Sequence, residues 1–162
     1  MANLLRVLIV EDNDDDRQLL VAELECGGYD LVHACVASAG EMRAALDRDA
    51  WDVIISDYSM PGFSGIDALR IVQERGLDLP FIIVSGAIGE DTAVEMMKSG
   101  AHDYLSKGSL RRLLPAVERE LREAAARREH RLAVQALRDS EARFRSIFNQ
   151  AAMGMVHGSL DG

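Results

Sequence analysis

Apolar positions fall in short continuous runs separated by amphipathic stretches. Residues 5–10, 53–56 and 81–84 are apolar nearly throughout and are bounded by turn or charged residues. Runs of that kind read as strands buried on both faces of a sheet. Residues 30–36 and 104–106 supply two further strands. Between the strands the period changes to that of a helix. Residues 14–25 carry Leu19, Leu20 and Leu24 at helical spacing, and Gly27-Gly28 stops them. Ser38 with Glu41 makes a capping box that opens a helix to about Arg48. Helices follow over residues 65–74, after the Pro61-Gly62 loop, and over 90–99, ended by Gly100. Ser109 is placed to cap a long last helix. Strands alternating with helices predict a doubly wound α/β fold, a parallel sheet covered on both faces. Such sheets carry their chemistry just beyond the carboxyl ends of the strands, where the strand order reverses.

The pattern changes from Leu110 onward. Residues 113–137 lack glycine and are rich in Glu, Arg, Ala and Leu, with Pro115 in the first turns, where proline is tolerated. Leu114, Val117, Leu121 and Ala124 form one stripe; Val134, Leu137, Phe144 and Phe148 form a second, out of phase with the first and interrupted by Glu141. A helix this long exceeds what one small domain can cover. Its length predicts a coiled coil with a register shift and self-association as a parallel homodimer through this helix; the plainer reading is one amphipathic helix lying on its own domain.

Composition narrows the class. The chain has 162 residues, enough for one domain and an appendage. No apolar run approaches the ~20 residues of a membrane span. Met1-Ala2-Asn3 has no basic flank, so a cytoplasmic protein without a signal peptide is expected. Cys26 and Cys35 lack metal spacing and are expected as packing residues. The net charge of −9 is uneven: residues 1–110 carry −12 and residues 111–162 carry +3. The acidic part repels nucleic acid, and the alternating signs of the basic part suit a solvated helix face, so no nucleic-acid partner is expected.

At the strand ends stand Glu11 and Asp12, then Asp57, Ser85 and Lys107. Folding gathers them at one sheet edge. Carboxylates brought that close repel unless a cation sits among them. Oxygen donors suit Mg²⁺, which accepts phosphate oxygens as well. Lysine supplies a mobile point charge for a phosphate, and a serine hydroxyl can donate to a phosphoryl oxygen. This inventory suits phosphoryl transfer to a carboxylate, with positioning and charge neutralisation as the catalysis.

Four segments carry a resemblance: Val10-Glu11-Asp12-Asn13, Ile54-Ile55-Ser56-Asp57-Tyr58-Ser59-Met60-Pro61-Gly62, Ile83-Val84-Ser85-Gly86 and Gly100-Ala101-His102-Asp103-Tyr104-Leu105-Ser106-Lys107. Together, over about residues 4–126, they resemble the response-regulator receiver family of two-component signalling. The resemblance implies a flavodoxin-like five-stranded sheet of order 2-1-3-4-5 and a phosphoryl group taken from a histidine kinase or phosphotransfer protein. It implies Asp57 as phosphoacceptor. Mg²⁺ would lie on Asp12, Asp57 and the backbone carbonyl of Ser59, with Glu11 acting through water. Ser85 and Lys107 would contact the phosphoryl group, and Tyr104 would be the switch aromatic. Two positions depart from the family: Gly108 follows Lys107 where proline is common, and Gly86 stands where alanine is frequent. The second departure would open the phosphoryl site to water. Asp139-Ser140-Glu141-Ala142-Arg143-Phe144-Arg145-Ser146-Ile147-Phe148-Asn149-Gln150, then Gly154-Met155 and Leu160-Asp161-Gly162, resemble the opening of a PAS sensory domain, its leading helix and first strand; the plainer reading is an amphipathic helix with a frayed tail. The implied organisation is a receiver domain over 1–112, a linker helix over 113–138 and a PAS fragment over 139–162. The receiver would assist only its own phosphorylation and dephosphorylation and would not be an enzyme.

Plainer readings stand beside these. Asp14, Asp15 and Asp16 suit a helix start favoured by the dipole. His33, His102, His130 and His157 show no metal spacing. Trp51 and Met96-Met97 fit packing, and Tyr104 could be a rim aromatic. An aspartyl-phosphate hydrolase of the haloacid dehalogenase kind wants an Asp two residues after the nucleophile, where this chain has Ser59. A flavodoxin-like electron carrier wants a hydroxyl-rich loop after the first strand, where this chain has acids. A stand-alone phosphorelay shuttle would not need the long helix.

Overall fold

The computed structural model describes residues 3–86 and 89–160, with side chains described up to Ala151. Five parallel strands, β1 (Asn3–Val10), β2 (Tyr29–Val36), β3 (Val53–Ser56), β4 (Phe81–Ser85) and β5 (Asp103–Ser106), pair in the order β2-β1-β3-β4-β5. Helices α1 (Asp14–Cys26), α2 (Ala39–Arg48), α3 (Gly65–Glu74), α4 (Glu90–Lys98) and α5 (Leu113–Leu160) connect and follow them. This is the doubly wound, flavodoxin-like fold with a long C-terminal helix that the hydrophobic pattern and the resemblance imply.

Side-chain alternation along each strand builds two cores. Leu8, Val10, Ile54, Phe81 and Ile83 face α2, α3 and α4 through Met42, Leu69, Val72 and Met96. Val7, Ile9, Val53, Ile55, Ile82 and Val84 face α1 and the start of α5 through Leu20, Leu24, Leu113 and Val117. The central strands β3 and β4 are buried at every position, which is why their sequences show no polar alternation. Each fully buried Ile or Phe contributes ~1.5–3 kcal/mol relative to an exposed one.

Two compact units divide the chain, Met1–Ala124 and Ala125–Gly162. Composition changes at Leu113, but packing changes at Ala124, because Leu113, Ala116, Val117 and Ala124 remain buried. In the second unit Leu132, Leu137, Phe144, Ile147 and Phe148 are exposed, and the Phe144 and Phe148 rings stack at 6.3 Å.

Several local expectations are corrected. Ser38 accepts from the Glu41 N–H, but the Glu41 carboxylate bonds the Ala37 N–H, one residue short of a reciprocal box. The closed box is at α3, where Ser64 accepts from the Asp67 N–H and Asp67 accepts from the Ser64 N–H. Ser109 caps nothing; it sits non-helical inside a 3₁₀ segment, Lys107–Arg112, which Ser106 caps. Cys26 is exposed, so only the half-buried Cys35 serves packing. Trp51 is buried, with its indole N–H donating to the Ala45 carbonyl, and Met96 is buried while Met97 is exposed. The first strand expected within the PAS-like stretch 139–162 does not form among the described residues, and helix continues to Leu160. A lone strand leaves its backbone groups unpaired, whereas a helix pairs its own. Asp161 and Gly162 of the PAS-like motif lie outside the described residues.

The α3 cap is testable. The backbone and side-chain hydrogen bonds from Ser64 hold the Asp67 carboxyl below the usual carboxylate range. A depressed folded value means that the stabilisation is complete above the ordinary range and is lost as pH falls through the folded value. Ser64→Ala is expected to lower stability by about 1 kcal/mol in urea unfolding at neutral pH, and by less in acid.

Candidate functional site

The strand order reverses between β1 and β3, and the crevice outside their carboxyl ends collects the acids. Backbone bonds fix the positions. The Glu11 N–H donates to the Val36 carbonyl at 3.0 Å, and the Asp57 N–H donates to the Val10 carbonyl at 2.8 Å. These bonds continue the ladders β1·β2 and β1·β3 one residue past the strands. Glu11, Asp12 and Asp57 thereby bring one carboxylate oxygen each within 4.8 Å of one another. Glu11 and Asp57 are buried, and Asp12 is exposed. Three hard oxygen donors with no soft ligand among them suit Mg²⁺ or a similar cation.

Lys107, at the end of β5, reaches into this cluster. Its Nζ lies 2.6 Å from Asp16 Oδ2, 3.0 Å from Glu11 Oε2 and 3.5 Å from Asp57 Oδ2. Only the Asp16 contact has hydrogen-bond geometry. Glu11 Oε2 has no hydrogen bond although the ammonium is close, so that contact is one of charge rather than of aligned donor and lone pair. The other oxygen, Oε1, accepts from the Asn13 N–H at 3.2 Å. Burial pushes the Glu11 carboxyl above its ordinary value; the close Lys107 ammonium and the Asn13 N–H pull it down less than burial raises it, and the Asp57 charge adds to the rise. Burial alone would lower the Lys107 amine. The bond to Asp16, the close Glu11 carboxylate and the charge of Asp57 outweigh it, and its pKa rises.

A cleft of about 450 Å³ opens beside Asp57 and is lined by Ser59, Ser85, Gly86, Thr92 and Lys107. Ser85 is buried at the end of β4, and Ser59 is exposed at the rim. A Cβ added at Gly86 would meet only Lys107 Cδ, at 3.9 Å, so among the described residues nothing requires glycine there. Tyr104 is half-buried on β5 and packs against the core that faces α2–α4. Of the histidines, His102 has a structural part: its Nδ1 accepts from the Phe81 N–H at 3.0 Å.

Of the residues expected from the sequence, Glu11, Asp12, Asp57, Ser59, Ser85 and Lys107 lie at or just beyond the carboxyl ends of the strands, while Tyr104 lies inside β5, opposite Ile83. The sequence reading missed Asp16, assigned there to the helix start alone. It is the third residue of α1 and helical side chains point back toward the N-terminus, which carries it over the acidic edge.

Residues 7–118 match the family model of the response regulator receiver domain. The chain belongs to this family. The receiver domain is 38% identical over 102 residues to response regulator protein FleR of Pseudomonas aeruginosa, a match covering 63% of this chain and 21% of that one. It is 34% identical over 108 residues to transcriptional regulatory protein FixJ of Azorhizobium caulinodans, covering 66% and 50%. The chain therefore spans about a fifth to a half of the length of these curated relatives. Among solved structures, a response regulator receiver domain protein from Clostridium thermocellum superposes with a TM-score of 0.66 at 28% identity, covering 75% of this chain and 98% of that one. Full-length FixJ from B. japonicum gives 0.67 at 29%, covering 75% and 61%. Receiver domains accept phosphoryl groups from histidine kinases or phosphotransfer proteins and bind Mg²⁺ at an acidic pocket. Among the described residues no helix is long and apolar enough to cross a membrane.

Proposed function

We propose that this receiver takes a phosphoryl group from a phosphohistidine onto Asp57 and passes the resulting change along α5. The observation that carries the reading is the convergence of Glu11, Asp12 and Asp57 within 4.8 Å, with Lys107 among them. Glu11, Asp12, Asp57 and the Ser59 carbonyl would hold Mg²⁺. Bound there, the ion supplies positive charge that offsets both the carboxylates and the incoming phosphoryl oxygens. An Asp57 carboxylate oxygen attacks phosphorus, the P–N bond of the donor breaks, and the imidazole leaves with the electron pair. Lys107 then pairs with the phosphoryl oxygens, and the Ser85 hydroxyl donates to one of them. With Ser85 drawn inward, Tyr104 changes rotamer and alters the surface near β5 and α5.

The output runs through the chain's second part. Residues 1–112 act as receiver, 113–138 as linker helix and 139–162 as the entry to a PAS-like domain. The exposed apolar residues from Leu132 to Phe148 support a parallel homodimer, since a helix stripe left in water is stabilised by a second copy. The reaction is the receiver's own phosphorylation, with no small-molecule substrate turned over.

Beryllofluoride, which mimics a phosphoryl group on a carboxylate, tests the reading. In calorimetry with Mg²⁺ the protein is expected to bind it, and Asp57→Asn to lose binding altogether. Light scattering on the same samples is expected to give the mass of a dimer. A monomer with and without beryllofluoride would exclude the dimeric relay, and undiminished binding by Asp57→Asn would exclude Asp57 as acceptor.

A further inference from the structure

Three carboxylates surround the Lys107 ammonium, and only Asp16 accepts an aligned hydrogen bond from it. A phosphoryl group would draw the amine toward its own oxygens, at the expense of its contact with one of the others. Asp57 is the carboxylate that would carry the phosphoryl group, which leaves Glu11 and Asp16 as competitors. Their surroundings decide between them. The Glu11 side chain is 1% exposed, so losing its cation strands a charge where water cannot replace it. The Asp16 side chain is 30% exposed, and water can solvate it once the lysine leaves. Asp16 is also the shortest of the three contacts, at 2.6 Å, and holds the amine on the α1 side of the cluster.

We infer that Asp16 is a positioning residue, a holding partner that keeps Lys107 on the α1 side while Asp57 is unmodified and that exchanges it for the phosphoryl oxygens. A helix-start role does not account for this contact. Asp14 and Asp15 occupy the same first turn and are exposed, whereas Asp16 is half-buried and bonded to a residue 91 positions away. Because the aligned bond to Asp16 exists before phosphorylation and competes with the phosphoryl oxygens for the amine, Asp16 opposes the phosphorylated state. The inference rests on Asp57 as acceptor.

The test is beryllofluoride affinity at saturating Mg²⁺ in the full chain. Asp16→Asn keeps the shape and removes the charge. It is expected to bind about three- to ten-fold more tightly than wild type, the span of one partly exposed charge-assisted hydrogen bond. Asp16→Glu should return toward wild type. In a Lys107→Met background, Asp16→Asn should change affinity by less than about two-fold, since the partner is gone. The ¹⁵N resonance of Lys107 Nζ should shift in Asp16→Asn without beryllofluoride present, a readout independent of phosphoryl chemistry. Unchanged or weaker binding by Asp16→Asn overturns the inference, as does equal tightening without Lys107, which would mean a field effect. If Asp57→Asn binds like wild type, the acceptor assignment fails instead, and that result is distinct from either.

Discussion

Lys107→Ala is expected to lose about 2 kcal/mol of stability at neutral pH in the presence of a chelator, and to lose much less in mild acid. Removing one partner of a buried pair leaves the other charge unpaired, at a cost of about 3–5 kcal/mol; the smaller figure reflects the 24% exposure of Lys107 and the ability of Glu11 to protonate. The pH dependence follows from Glu11. Burial already holds its carboxyl above the ordinary glutamate range, and Lys107 is among the groups that lower it. An acid whose folded value is raised contributes stability that is complete below the ordinary range and lost as pH rises through the folded value. Without Lys107 that folded value rises further and the loss grows. Urea unfolding at about pH 5 and about pH 8 therefore should give a deficit that widens with pH. Added Mg²⁺ should restore part of it at the higher pH, because the ion takes over charge compensation. A deficit equal at both pH values would mean that Lys107 acts by packing alone.

The second large effect is expected at Gly65, where α3 begins against the phosphoacceptor loop. A Cβ there would lie 2.8 Å from the Asp57 carbonyl oxygen, 3.1 Å from Tyr58 Cα and 3.2 Å from Ile83 Cδ1. The first two contacts are backbone, and the Gly65 N–H is itself bonded to the Tyr58 carbonyl at 2.8 Å, so the segment has little room to yield. Gly65→Ala should cost about 2–3 kcal/mol by overpacking, and should weaken beryllofluoride binding because the strain is relieved by moving Asp57. Gly40→Ala in α2 is the control. Nothing lies within 4 Å of its added Cβ, and alanine favours helix by about 0.5–1 kcal/mol, so that variant should be neutral or more stable. Equal effects at the two sites would contradict the close approach at Gly65.

The parts of the molecule legible from sequence are those in which one physical signal acts alone. The runs at 53–56 and 81–84 read as central strands because burial on both faces leaves no polar position to confuse the period. The five strand-end residues could be placed together because an α/β sheet brings strand ends to one edge. Features in which a local signal has two outcomes, or which a distant contact sets, are not legible. Glu120 looks like one more charge on a solvated helix, yet it is buried near Arg119, and burial raises its carboxyl pKa. Ser64-x-x-Asp67 closes its box with the shorter acid, outside the usual Ser-x-x-Glu pattern, while Ser38 with Glu41 has the spacing but closes on Ala37. Ser109 resembles a cap in sequence because the 3₁₀ segment before α5 has no periodic signature. Asp16 was hidden in a run of three acids, and only the approach of β5 separates it from its neighbours. The last strand was inferred from a motif, but a strand needs a partner that no sequence window contains.

The most direct measurement is incubation of the full chain with acetyl phosphate and Mg²⁺, followed by mass spectrometry of the intact protein and its peptides. One phosphoryl group on the peptide that carries Asp57, absent from Asp57→Ala and from samples treated with chelator, is the expected result. Incorporation at another residue, or equal incorporation by Asp57→Ala, would contradict an acyl phosphate at Asp57.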